Sequence, residues 1–110
     1  MKQYVIDELR PGEYDKIKKY LDEKYPEGNL DDLYWIPFKP ELYNEKQKSH
    51  KECQPYYFTI DLDENYLACE LLIRTRERIS CDCIAYADKT QRDYIIETAD
   101  SIFKELEIII

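Results

Sequence analysis

The sequence predicts an α+β fold: an antiparallel β-meander of about four to five strands with helices packed on one face. Three observations carry this. Tyr56, Phe58, Ile60 and Leu62 alternate with Tyr57, Thr59, Asp61 and Asp63, the period-2 pattern of a half-buried strand. Two segments, one after Pro11 and one after Asp88, instead carry apolar residues at helical spacing. The elements follow the order β-α-β-α-β-β-β-α, and residues 1–110 read as a single α+β domain without repeats, low-complexity stretches or linkers.

Gln3–Leu9 reads as a first strand. Pro11 opens a helix, because its missing N–H would be unpaired in the first turn anyway. Tyr14, Ile17 and Leu21 supply that helix's apolar stripe, and Pro26 with Gly28 ends it. Leu33–Ile36 is short, aromatic and β-branched and runs into Pro37, which marks an edge strand or an extended segment. Residues 41–53 read as a polar helix that begins after Pro40 and stops at Pro55.

A two-residue turn at Glu64-Asn65 pairs Leu62 with Leu67, Ile60 with Cys69, Phe58 with Leu71 and Tyr56 with Ile73. All four pairs fall on the apolar face. A third strand, over Ile79–Ala87, returns after a turn near Arg76-Glu77-Arg78. A two-residue turn there would place Cys81 opposite Arg74 on the outer face, whereas a three-residue loop with a bulge would turn it inward. Asp88 caps the last helix with Gln91 in the capping-box position, and Ile95, Ala99, Ile102, Phe103 and Leu106 form its apolar stripe.

Composition excludes several functions. Charged residues make up 36% of the chain and the net charge is −8, which disfavours a duplex phosphate backbone as partner. Only two glycines occur, so no clustered-glycine loop can cradle a phosphate. The first residues lack the apolar run of a signal peptide and no stretch is long enough to span a bilayer, which points to the cytoplasm and away from membranes. In that compartment the four cysteines read as thiols or metal ligands, not disulfides.

His50 and Cys53 stand three apart on a predicted helix, and Cys81 and Cys83 two apart on a predicted strand, so each pair shares a face. Together they are a ligand set of the kind that zinc takes. The competing reading is plain packing, since free cysteine is a small apolar residue often found in cores, and Cys69 would lie on the same face. A Cys–His catalytic pair is disfavoured, because Cys53 lies near a helix C-terminus where the dipole opposes a thiolate.

Arg74, Arg76 and Arg78 alternate along a strand and form the one basic concentration in the acidic second half. With Tyr57 on the same outer face, Arg74 and Arg76 can hold a small anionic ligand, or they can pair with Glu70, Glu77 or Asp61. Asp61–Asn65 starts like a calcium loop, but Tyr66 stands where glycine is required. Tyr34, Trp35, Phe38, Tyr43, Tyr56 and Tyr57 exceed what a small core absorbs and predict contact with another protein or with a second copy as a homodimer. The apolar tail Ile108-Ile109-Ile110 must pack either within its own chain or against that second copy.

Tyr4–Tyr14, a strand running through Arg10-Pro11 into a helix, resembles the start of the acetyl-coenzyme A-dependent N-acetyltransferases. That family holds its cofactor's pyrophosphate on a glycine-containing loop, and the matching Tyr86–Arg92 has no glycine, so the activity is not carried over. The sequence therefore reads as a binding or interaction module with no chemistry or cofactor of its own. The alternative is a zinc-binding or thiol-redox protein using His50, Cys53, Cys81 and Cys83.

Overall fold

The computed structural model describes residues 2–26, 32–77 and 80–109. Its sheet has six strands: β1 (Gln3–Ile6), β2 (Leu33–Pro37), β3 (Tyr56–Leu62), β4 (Leu67–Glu70), β5 (Leu72–Thr75) and β6 (Ala85–Tyr86). Three α-helices accompany it, α1 (Glu13–Lys24), α2 (Glu45–Ser49) and α3 (Lys89–Glu105). All strand pairs are antiparallel, so the α+β meander expected from the sequence is the architecture found. No helix among the described residues is long and apolar enough to cross a membrane.

β3 is the centre of the sheet. β2 lies along one side of it with Tyr34 opposite Ile60 and Ile36 opposite Phe58, and runs as an edge strand into Pro37. On the other side lie β4 and β5, two halves of one strand broken at Leu71. The pairs Leu62–Leu67 and Ile60–Cys69 form as the turn predicts, but Tyr56 then faces Thr75 instead of Ile73. From Ile60 to Tyr57 is three steps, whereas their partners Cys69 and Arg74 are five apart, so the break inserts two residues. An even insertion preserves the alternation: Ile73 and Thr75 are buried while Arg74 and Arg76 stay on the outer face. β1 and β6 then share the far side of this broken strand, β1 on its first half and β6 on its second.

α1 and α3 bury their stripes in one core cluster, Ile17 and Leu21 from the first, Ile95, Ala99, Ile102 and Phe103 from the second. Hydrogen bonds fix their placement: the Tyr4 hydroxyl donates to Asp100 at 2.7 Å and the Tyr20 hydroxyl to Glu105 at 2.8 Å. Gly12 takes φ 90° just before α1, a conformation that side chains resist. In the tail, Ile108 is buried in its own chain, its N–H bonded to the Phe103 carbonyl, and Ile109 is exposed.

Three expected elements differ. β1 stops at Ile6 instead of Leu9. The polar helix over 41–53 is broken into a 3₁₀ turn at Pro40–Leu42, the short α2, and a second 3₁₀ turn at Lys51–Cys53. Its apolar residues are too few to hold one continuous helix against the core. The strand over Ile79–Ala87 reduces to Ala85–Tyr86, with Asp82 and Cys83 in a turn; residues 78 and 79 lie outside the described residues.

The capping box at Asp88 and Gln91 is present, and α2 carries a second one, Asn44 with Gln47. The two box glutamines are both buried and meet: Gln91 Nε2 donates to Gln47 Oε1 and to the Leu42 carbonyl, each at 2.9 Å. Gln47 Nε2 reaches the Cys83 carbonyl at 3.5 Å. Replacing Gln47 with leucine would strip this network from a buried site and open the α2 cap. Gln47→Leu is expected to lower unfolding stability by about 2–4 kcal/mol, read from urea unfolding followed by Trp35 fluorescence.

Candidate metal centre

The donors come from two tight turns, not from regular elements as the spacing suggested. α2 ends at His50, whose N–H bonds the Lys46 carbonyl at 3.1 Å. The chain then makes one 3₁₀ turn, closed by the Cys53 N–H on the His50 carbonyl at 3.0 Å. Residues three apart eclipse in a 3₁₀ turn, so the imidazole and the thiol project from one side. The second turn is closed by the Ile84 N–H on the Cys81 carbonyl, also at 3.0 Å. Within it the backbone N–H of Cys83 supports the Cys81 sulfur and lowers that thiol's pKa.

These turns bring His50, Cys53, Cys81 and Cys83 together, with one ligand atom of each lying within 4.8 Å of all the others. His50 Nδ1 is 3.4 Å from Cys81 Sγ, and the sulfurs of Cys53 and Cys81 are 4.0 Å apart. Zinc bonds of the usual lengths require ligand–ligand edges of roughly 3.3–3.8 Å in a tetrahedron, so the donors need only a contraction of about 1 Å at the widest edge. One imidazole and three sulfurs can hold a metal ion here. All four cysteines are free thiols, and Cys69 lies outside the group, buried in the core as the packing reading expects.

Burial and charge around the cluster are uneven. Cys53 and Cys83 are buried, and Cys81 and His50 are half-exposed. Desolvation, followed by the neighbouring Cys83 and Cys81, pushes the Cys53 thiol up to about 12. Asp82 lies on the solvent side, its carboxylate 3.8 Å from His50 Nε2 and 3.3 Å from Lys46 Nζ. The Lys46 ammonium holds Asp82 below the usual carboxylate range. With Nδ1 turned to the sulfurs and Nε2 to a carboxylate, the imidazole is oriented from both ends.

The inner side carries residues that the sequence did not connect with the cluster. The Thr75 hydroxyl donates to the Cys53 carbonyl, and the Glu77 N–H donates to Thr75 Oγ1 at 3.1 Å, so the end of β5 is tied to the first turn. Gln54 Nε2 closes the end of α2 on the Gln47 carbonyl at 3.1 Å. The Tyr56 hydroxyl is fully buried and has no hydrogen-bond partner that satisfies ordinary geometry. After desolvation, its strongest influences are the sulfurs of Cys83, Cys53 and Cys81, which push its pKa well up. An orphaned hydroxyl beside thiols is one that a thiolate could satisfy. The spacing Asn44-x-x-Gln47, a capping-box pattern, is the signal that could have pointed to Gln47.

The outer-face residues separate. Arg74 pairs with Glu70 at 2.5 Å, one of the expected acids, but along the broken strand and not across the sheet. Tyr57 and Arg76 border a cleft together with Trp35. No protein-family model, curated protein or solved structure matches the chain.

Exposure ranks the thiols. In metal-free folded protein treated with iodoacetamide at neutral pH, Cys81 should be alkylated first. Cys53, Cys69 and Cys83 should follow at least tenfold more slowly, by way of opening, as read by peptide mass mapping.

Proposed function

We propose that the protein is a non-catalytic binding module whose sheet end is closed by one structural zinc ion held by His50, Cys53, Cys81 and Cys83. The observation that carries this is the convergence of four donor atoms within 4.8 Å from two turns far apart in sequence. Thiolate and imidazole donors suit zinc above the harder cations. Four protein donors leave no open position for water or substrate, which supports a structural role over a catalytic one. The ion would join the turn after α2 to the turn before β6, two segments 28 residues apart in sequence. The homodimer expected from the sequence finds support in Val5 and Tyr86, exposed apolar residues on the edge strands β1 and β6.

Native mass spectrometry with elemental analysis tests both parts. One zinc per chain is expected, falling to below about a tenth of an equivalent in Cys53→Ser and Cys81→Ser and unchanged in Cys69→Ser. Protein purified without zinc that also fails to take it up would overturn the metal assignment, and a monomer mass at micromolar concentration would overturn the dimer.

Tyr56 gives a sharper test. With the thiols protonated, Tyr56→Phe removes an unsatisfied buried hydroxyl, so the metal-free protein should be as stable as wild type or more so. With zinc bound, the same change removes a donor to a thiolate, and zinc affinity should fall about tenfold in a competition assay with a chromophoric chelator.

A further inference from the structure

The strands that support the thiol cluster build a second site on their reverse. Tyr56 and Thr75 face each other across β3 and β5 and point inward to the cysteines. Their chain neighbours Tyr57 and Arg76 point the other way. There they line a cleft of about 300 Å³ together with Trp35 and Pro37 from β2 and Tyr25 and Pro26 from the end of α1. Trp35 and Tyr57 meet edge to face with centroids 5.7 Å apart, and the Arg76 guanidinium stands 4.9 Å from the centroid of each.

Three aromatic rings and two prolines make rigid, flat, apolar walls, and the volume suits a single small ring. Among the described residues, Arg76 is the one charged side chain that lines the cleft, and its guanidinium lies over two of the rings, in a chain whose net charge is −8. A guanidinium stacked on ring faces keeps its N–H donors in plane, where their fork matches a carboxylate. We propose that this cleft binds a small aromatic carboxylate, its ring against Trp35 and Tyr57 and its carboxylate on Arg76. This rests on the binding-module reading and names the ligand class for it. Free aromatic acids and an aromatic residue at a peptide C-terminus share this chemistry.

Trp35 is the only tryptophan, so its fluorescence reports on the cleft directly. Zinc-loaded protein would be titrated with benzoate, with benzamide, with acetate, and with a short peptide ending in phenylalanine alongside its C-terminal amide. Benzoate is expected to give a saturable change, with benzamide and acetate each at least tenfold weaker. Arg76→Gln should weaken benzoate at least tenfold and leave benzamide unchanged. A peptide acid that binds tenfold more tightly than benzoate assigns a peptide terminus as the source, and the reverse order assigns a free acid.

The proposal is overturned by no saturable change up to 10 mM benzoate, by equal affinity for benzoate and benzamide, or by acetate matching benzoate. Unchanged benzoate binding in Arg76→Gln overturns it as well. The benzoate–benzamide contrast in wild type decides the matter even if that variant fails to fold. Zinc content measured on the same samples separates the two assignments: benzoate binding without zinc sinks the metal and keeps the cleft, and zinc without benzoate binding does the opposite.

Discussion

The hydrogen bond between Gln47 and Gln91 holds together everything on the thiol side of this molecule. Each glutamine already serves its own helix, accepting from the N-cap backbone of α2 or α3. Their remaining amide groups join the two helix starts, take up the Leu42 carbonyl and reach the carbonyl of Cys83. The arrangement is possible only because both side chains are buried, where an amide without partners would cost about 1–3 kcal/mol. Local capping chemistry, written at two places 44 residues apart, thereby becomes a tertiary restraint on where the second cysteine turn can lie.

Strand alternation does the rest. At the end of the β3–β5 ladder, consecutive residues serve opposite faces: Tyr56 and Thr75 belong to the cluster, Tyr57 and Arg76 to the cleft. The Thr75 hydroxyl on the Cys53 carbonyl links the turn to the strand end directly. Anything that tightens the cluster therefore also limits the freedom of Arg76, one bond further along the chain. The inserted pair of residues near Leu71 matters for the same reason. An odd insertion would have sent Arg76 into the core and Thr75 to solvent.

The parts of the fold that follow short-range rules were legible in the chain. The strand over 56–62, its turn at Glu64-Asn65 and the first two cross-strand pairs rest on alternation alone, and α3 announces itself through Asp88, Gln91 and its stripe. The four donor residues were legible as a set, but their elements were not. His50 and Cys53 share a side because of a 3₁₀ turn, and Cys81 and Cys83 because of a loop turn; both mimic the spacing of the helix and strand expected there. Turn geometry of this kind depends on which carbonyls and amides are left over once the core has formed. Tyr56 was read as an apolar strand residue, which its ring is, and its hydroxyl gains meaning only from the sulfurs beside it. The cleft required knowing that Trp35, opposite Thr59, packs diagonally on Tyr57, a contact between strands separated by α2.

The placement of β1 and β6 along one side of the broken strand has a further consequence. A chain with 11 tyrosines and many β-branched residues is well suited to stacking strand on strand with copies of itself. Such growth needs a long, flat margin of unpaired amides and carbonyls to begin on. Among the described residues, one margin is shared between a segment of four residues and one of two, and the other ends in Pro37, which has no amide hydrogen to offer. The break at Leu71 thus keeps the sheet finite, since it divides a margin that would otherwise run as a single template.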